Sequence, residues 1–210
     1  MNQIYVFDLD GTLVDSMSYF AKGILSIPEE AGIPTSPELL KIITPLGYTK
    51  AAEYYRQELG MQESIESIVR RIEDKLVYEY THNIRPKEGV VDYLRTRYAE
   101  GARLFVLTAS PHLVTDVCLQ RNGLFDLFEQ VWSVEDFALS KSDPRIFFDV
   151  ASKIGCKVED VHYFDDSLIA LRNAKIAGYR TYAVYDSHSD EEIAEMKREH
   201  NVFVRSFAEL

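Results

Sequence analysis

Near the start of the chain the apolar run Ile4-Tyr5-Val6-Phe7 ends directly on Asp8-Leu9-Asp10-Gly11, and no other stretch constrains the fold as strongly. Consecutive β-prone apolar residues predict a buried strand, and Gly11 with Thr12 then turns the chain. Such a strand delivers two acids to its C-terminal tip. In an open parallel α/β sheet that end of the strands is where ligands bind, so the placement points to chemistry rather than solubility. An isolated Asp-x-Asp-Gly also ends ordinary edge strands, so its weight depends on the rest of the chain.

After Ser16 the period becomes helical. Met17, Phe20, Ile24 and Ile27 recur at spacings of three and four, until Pro28, which is expected to stop the run. Ser36 and Pro37 open a second helix with Leu39, Leu40 and Ile43 on its stripe, and Pro45-Leu46-Gly47-Tyr48 is expected to break it. Thr49 is expected to cap a third, with Ala52, Tyr55 and Leu59 on one face and Gly60 closing it. A fourth carries Ile65, Ile68, Val69, Ile72, Leu76 and Tyr80.

From His82 onward strand and helix alternate. Strands are expected over 103–107, 130–132, 161–164, 181–184 and 202–204. Helices open at Gly89, Ser110-Pro111, Asp143-Pro144 and Ser167, and a charged one spans 190–200. This alternation predicts a doubly wound parallel α/β sheet. The first strand precedes the helical stretch and its partners follow it. The domain reading is therefore a core of 1–15 and 83–210, interrupted by a small α-helical cap over 16–82.

At 210 residues the chain suffices for one sizeable core with a small second module. A net charge of −11 disfavours nucleic acid and anionic membrane as partners, since phosphate backbones are bound by basic patches. A small anionic substrate remains compatible with it where local cations or a metal offset the field. Cys118 and Cys156 lie far apart, have no Cys or His at metal-ligand spacing, and read as buried thiols in helices. No signal peptide is expected, and no apolar run approaches the ~20 residues of a membrane span, so a cytoplasmic protein is expected.

Later strand ends carry further polar groups. Leu107-Thr108-Ala109-Ser110 places the Thr108 hydroxyl before a helix N-terminus, where backbone N–H groups favour phosphate. Ser140-Lys141-Ser142-Asp143-Pro144 places Lys141 at a helix entrance, within reach of a phosphate oxygen. Phe164-Asp165-Asp166-Ser167 adds two acids which, with Asp8 and Asp10, make an oxygen-rich site suited to the hard cation Mg²⁺. Each alone has a plain reading, as β-propensity, a surface lysine or a helix cap.

In order, Asp8-Leu9-Asp10-Gly11-Thr12-Leu13-Val14-Asp15-Ser16, Thr108, Lys141 and Asp165-Asp166-Ser167 resemble the haloacid dehalogenase (HAD) superfamily of phosphotransferases. The resemblance covers residues 4 to about 185 and lies nearest the members with a helical cap after the first motif, phosphoglycolate phosphatase and β-phosphoglucomutase. It implies a Rossmann-like core and a Mg²⁺-dependent phosphatase acting on a small phosphorylated metabolite, as monomer or homodimer. Asp8 would be the nucleophile, taking the phosphoryl group as an aspartyl phosphate. Asp10, two residues along the same strand and on the same face, would be acid and then base. Thr108, Ala109 and Lys141 would hold the phosphate. Asp8, the Asp10 main-chain carbonyl and Asp166 would hold Mg²⁺, with Asp165 acting through water. Ala109, Ser142 and Asp165 stand where relatives more often carry Asn, Pro and Glu.

The resemblance further implies a specificity loop over 45–50, between cap helices, with Gly47, Tyr48 and Lys50 as candidates and Lys50 meeting a second anionic group. Dehalogenation is disfavoured, because it needs neither Mg²⁺ nor an acid at Asp10. A phosphomutase is the nearer rival, although Ser18-Tyr19-Phe20 stands where a mutase-like cap carries His. A non-catalytic binding or regulatory protein that has kept the fold is the rival of another class. His82, His112 and His162 have no motif around them and read as structural or solvated.

Overall fold

The computed structural model describes residues 3–43 and 46–210; Pro45, assigned above to the break and the specificity loop, lies outside them. Strand β1 (Ile4–Phe7) leads into four helices, α1 (Met17–Glu30), α2 (Pro37–Ile43), α3 (Gly47–Gln57) and α4 (Ile65–His82). Then follow α5 (Val90–Ala99), β2 (Arg103–Thr108), α6 (His112–Arg121), β3 (Gln130–Ser133), α7 (Arg145–Ile154) and β4 (Val161–Asp165). The chain ends with α8 (Leu168–Ala177), β5 (Arg180–Val184), α9 (Ile193–Glu199) and β6 (Val202–Val204). It falls into two compact units, Met1–Asp15 with Arg85–Leu210, and Ser16–Ile84. The second closes at Ile84 because the Asn83 and Ile84 amides both bond the Glu79 carbonyl, and Ile84 is fully buried.

In the first unit the six strands are all parallel, in the order β3-β2-β1-β4-β5-β6. Successive connections run outward from β1 in one direction and then from β4 in the other, so the order reverses between these two strands. Such a reversal opens a crevice at the carboxyl ends of the strands, the general ligand position in open α/β sheets. Side-chain alternation gives each sheet face its own apolar layer. Ile4, Val6, Phe105, Leu107, Val161 and Tyr163 pack with Ile146, Phe147 and Val150 of α7 and Leu168, Leu171 and Ala174 of α8. On the opposite face Phe7, Phe164 and Tyr182 stack at ring spacings of 4.8 and 4.3 Å, beneath Tyr93 of α5 and Phe207.

The second unit is helical. Its core is the stripes read from spacing: Ile24 and Ile27, Leu39 and Ile43, Ala52 and Tyr55, and Ile68, Ile72, Leu76 and Tyr80 are all buried. Pro28 does not stop α1, which continues to Glu30. A proline removes the N–H that would bond the carbonyl four residues back, here that of Ile24. That carbonyl accepts the Tyr55 hydroxyl instead, at 3.0 Å, so the helix proceeds with no orphaned acceptor. Helix α3 starts at Gly47 rather than after a Thr49 cap, and its N-cap position, Leu46, makes no side-chain bond. Ala51, Ala52 and Tyr55 are its buried residues, and Gly47, Tyr48 and Lys50 form its first turn rather than a loop.

Two smaller expectations also change. Helix α6 begins at His112, because Pro111 is extended and occupies the cap position. Cys118 is buried in α6, but Cys156 lies past Gly155, which ends α7 in the left-handed conformation. No described helix is long and apolar enough to cross a membrane.

Candidate active site

The crevice between β1 and β4 is built by register. Phe7 pairs with Phe164, and the Asp8 amide donates to the Phe164 carbonyl at 2.8 Å, which sets Asp8 beside Asp165. Beyond Asp8 the chain leaves the sheet. The Leu9 carbonyl collects the amides of Thr12, Leu13 and Val14 at 3.3, 2.8 and 3.0 Å, closing a tight turn. Gly11 is required in it: its φ is +75°, and a Cβ there would lie 2.3 Å from Asp166 Oδ2. Strand β1 therefore ends at Phe7, and Asp10 belongs to the turn rather than to a shared strand face with Asp8. The Asp10 carboxylate accepts the Ser110 hydroxyl at 2.6 Å, while Asp8 meets Lys141.

Lys141, in the turn before α7, donates to Asp8 Oδ1 at 2.5 Å and to Asp165 Oδ2 at 2.9 Å, with its side chain 12 % exposed. The Asn173 amide holds the Lys141 carbonyl at 3.1 Å. Asp165 is fully buried; one of its oxygens also accepts the Tyr163 hydroxyl, and the other takes the Ser167 amide at 2.7 Å. That amide bond, rather than a Ser167 side-chain cap, starts α8. Asp166 accepts the Thr12 hydroxyl at 3.1 Å, and Ser189 donates to its carbonyl at 3.0 Å. Thr108 ends β2 fully buried, its hydroxyl oxygen accepting the Ser110 amide at 3.0 Å, and Ala109 is exposed.

Three buried carboxylates, Asp8, Asp165 and Asp166, thus have ligand oxygens within 4.8 Å of one another. Burial first, then the charges of Asp165 and Asp10, push Asp8 up to about 8 against the pull of Lys141. Burial and the neighbouring Asp165 and Asp8 hold Asp166 well above the usual carboxylate range. Burial disfavours the Lys141 ammonium, but Asp165 and Asp8 outweigh it and raise its pKa. Burial, then Asp165 and Asp8, keep the Tyr163 hydroxyl protonated. All these directions express a surplus of negative charge, which either a proton or a cation relieves. Hard oxygen donors with that surplus fit a divalent cation such as Mg²⁺. The Asp10 carboxylate is not among the clustered oxygens.

Of the residues expected to form the site, Asp8, Lys141, Asp165 and Asp166 meet directly, and Ser110 links Asp10 to Thr108. Gly47, Tyr48 and Lys50 belong to the Ser16–Ile84 unit. Tyr163, Ser110, Asn173 and Ser189 were not legible as site residues. Only Tyr163 carried a local signal, since it stands two residues before Asp165 on the same strand face. Among the histidines, His162 bonds the Tyr182 hydroxyl at 2.8 Å, and His112 joins Asp116 and Asp136 at 3.1 and 2.9 Å.

Comparison with known proteins agrees with this geometry. Over 186 residues the chain is 24 % identical to a phosphorylated carbohydrates phosphatase of Thermotoga maritima, covering 88 % of this chain and 86 % of that one. It is 25 % identical over 181 residues to a phosphoglycolate phosphatase of Haemophilus influenzae, covering 82 % and 80 %. The crystal structure of CbbY from Rhodobacter sphaeroides in complex with phosphate superposes with a TM-score of 0.81 at 21 % identity, over 100 % of this chain and 96 % of that one. Residues 5–184 match the model of the haloacid dehalogenase-like hydrolases, and the chain is an enzyme of that family.

Proposed function

We propose that this protein is a Mg²⁺-dependent phosphatase that hydrolyses a small phosphomonoester through an aspartyl phosphate on Asp8. The observation that carries this reading is Asp8 itself: a buried carboxylate at the strand-order reversal, held by an ammonium and flanked by two more acids. The names of the two phosphatase relatives support the same reaction class.

The site's first task is electrostatic. A phosphate dianion must approach several carboxylates, and unit charges ~4 Å apart at an effective dielectric of ~20 repel by about 4 kcal/mol. Lys141 offsets part of this and draws the Asp8 pKa down against the burial that raises it. Mg²⁺, held by Asp8, Asp166 and the Asp10 carbonyl, would supply the remaining neutralisation of the phosphoryl oxygens. Asp165, whose oxygens accept Lys141, the Tyr163 hydroxyl and the Ser167 amide, would act on the metal through water.

An Asp8 oxygen then attacks phosphorus while the bond to the leaving oxygen breaks, and Asp10 protonates that oxygen. Asp10 next takes a proton from water, whose oxygen attacks the same phosphorus and releases phosphate from Asp8. Ser110 orients Asp10 for both transfers, and Thr108, the Ala109 amide and Lys141 hold the phosphoryl group. We assign to the Ser16–Ile84 unit the role of a cap that selects the substrate, with Gly47, Tyr48 and Lys50 in the first turn of α3 as its selecting residues.

The test is phosphate release from a panel containing phosphoglycolate and phosphorylated sugars, with Mg²⁺, with EDTA, and with Asp8→Asn. Release that needs Mg²⁺ and disappears in the variant is expected. Silence across the panel from folded protein would overturn the phosphatase reading.

A further inference from the structure

Lys87 has no place in the site described above, yet its ammonium is fully engaged within the same unit. The segment that re-enters this unit at Arg85 is strapped to the segment leaving it: the Asp15 amide donates to the Arg85 carbonyl and the Lys87 amide to the Leu13 carbonyl, both at 3.0 Å, and Val14 bridges Pro86. The Lys87 side chain is 16 % exposed. Its Nζ donates to the Gly11 carbonyl at 2.6 Å, the Tyr185 carbonyl at 2.6 Å and Asp186 Oδ2 at 3.1 Å. Three acceptors match the three donors of an ammonium. Two of them are peptide groups, so this lysine pins backbone as well as neutralising an acid.

The pinned peptide joins Gly11 to Thr12, where the turn has no slack. Gly11 packs so closely on Asp166 that a Cβ would overlap the carboxylate, and the Thr12 hydroxyl bonds the same carboxylate. We propose that Lys87 is a positioning residue: by fixing the Gly11–Thr12 peptide from the β5 side, it holds the turn that presents Asp10 and braces Asp166. Its catalytic consequence rests on the phosphatase reading; its structural consequence does not. Asp186 is the minor partner, since it ties Lys87 in place without touching the turn.

The experiment compares Lys87→Met, which removes the donors and keeps the stem, with Asp186→Asn, which removes the ion pair and leaves both carbonyl bonds. In folded Lys87→Met, amide hydrogen exchange over residues 8–14 is expected to rise about tenfold or more, with exchange in β2 unchanged. On the best panel substrate its kcat is expected to fall at least about tenfold with KM within about threefold, as misplacement of catalytic groups produces. Asp186→Asn is expected to stay within about threefold in kcat, the scale of a lost ion pair. Wild-type exchange over 8–14 in Lys87→Met overturns the proposal, as does a wild-type kcat. If methionine prevents folding, Lys87→Gln, which keeps one donor group, must move both readouts in the same direction or the proposal fails. If the wild-type protein releases no phosphate, the phosphatase reading fails, and the exchange measurement still decides the role of Lys87.

Discussion

Lys141 is the ammonium paired with the acid cluster. It bonds both Asp8 and Asp165, and removing one partner of a buried ion pair typically costs about 3–5 kcal/mol because the other charge is left uncompensated. The sign of the pH dependence follows from Asp8. Its ordinary value is 3.8 and its folded value about 8, so the native state binds a proton that the unfolded chain releases between those limits. Its contribution to stability is therefore present below pH ~4 and lost as pH rises through ~8. Without Lys141 that loss deepens. In EDTA, Lys141→Met is expected to be destabilised by about 3 kcal/mol at pH 8 and by clearly less at pH 5.5, as measured by urea unfolding. An equal deficit at the two pH values would show that the side chain matters only for packing.

Elements were legible where a local pattern and a tertiary demand agree. The apolar run of β1, the Gly89 start of α5 and the Gly155 and Gly178 ends of α7 and α8 are punctuated by residues whose backbone preference matches the fold. The readings that shifted were those where a distant group overrides the local rule. Pro28 should end a helix, but Tyr55, from another helix of the same unit, takes the carbonyl it frees. Tyr55→Phe removes that donor and leaves the Ile24 carbonyl buried and unbonded, an omission worth about 1–3 kcal/mol. Urea unfolding should show this loss, and restoring the helical N–H in the double variant with Pro28→Ala should recover much of it. Independent, additive effects of the two changes would refute the link between them. The site divides in the same way. Asp8, Thr108, Lys141 and Asp166 stand in strings with a recognisable order, whereas Ser110, Asn173 and Lys87 act across 76 to 100 residues of sequence or reach a neighbouring turn. No periodicity records such contacts.

At the scale of the whole chain, a net charge of −11 adds its self-repulsion to that of the three buried acids gathered at one point. The strand order puts β1 and β4 side by side, so Asp8 and Asp166 converge although 158 positions separate their numbers. In the unfolded chain these acids are far apart and fully hydrated, and they bind Mg²⁺ weakly. A ligand that binds only the native state stabilises it by about 2.7 kcal/mol at a concentration 100 times its dissociation constant. For a chain of this length that corresponds to a rise in Tm of roughly 5–10 °C. The rise should be larger at pH 8 than at pH 6, because a metal ion must displace protons from carboxylates whose pKa values are raised. Asp166→Asn should abolish most of it, while NaCl at matched ionic strength should reproduce only the screening of the surface charge. A melting shift that NaCl matches in full, or that survives in Asp166→Asn, would mean that Mg²⁺ acts on the acidic surface and not on the cluster between β1 and β4.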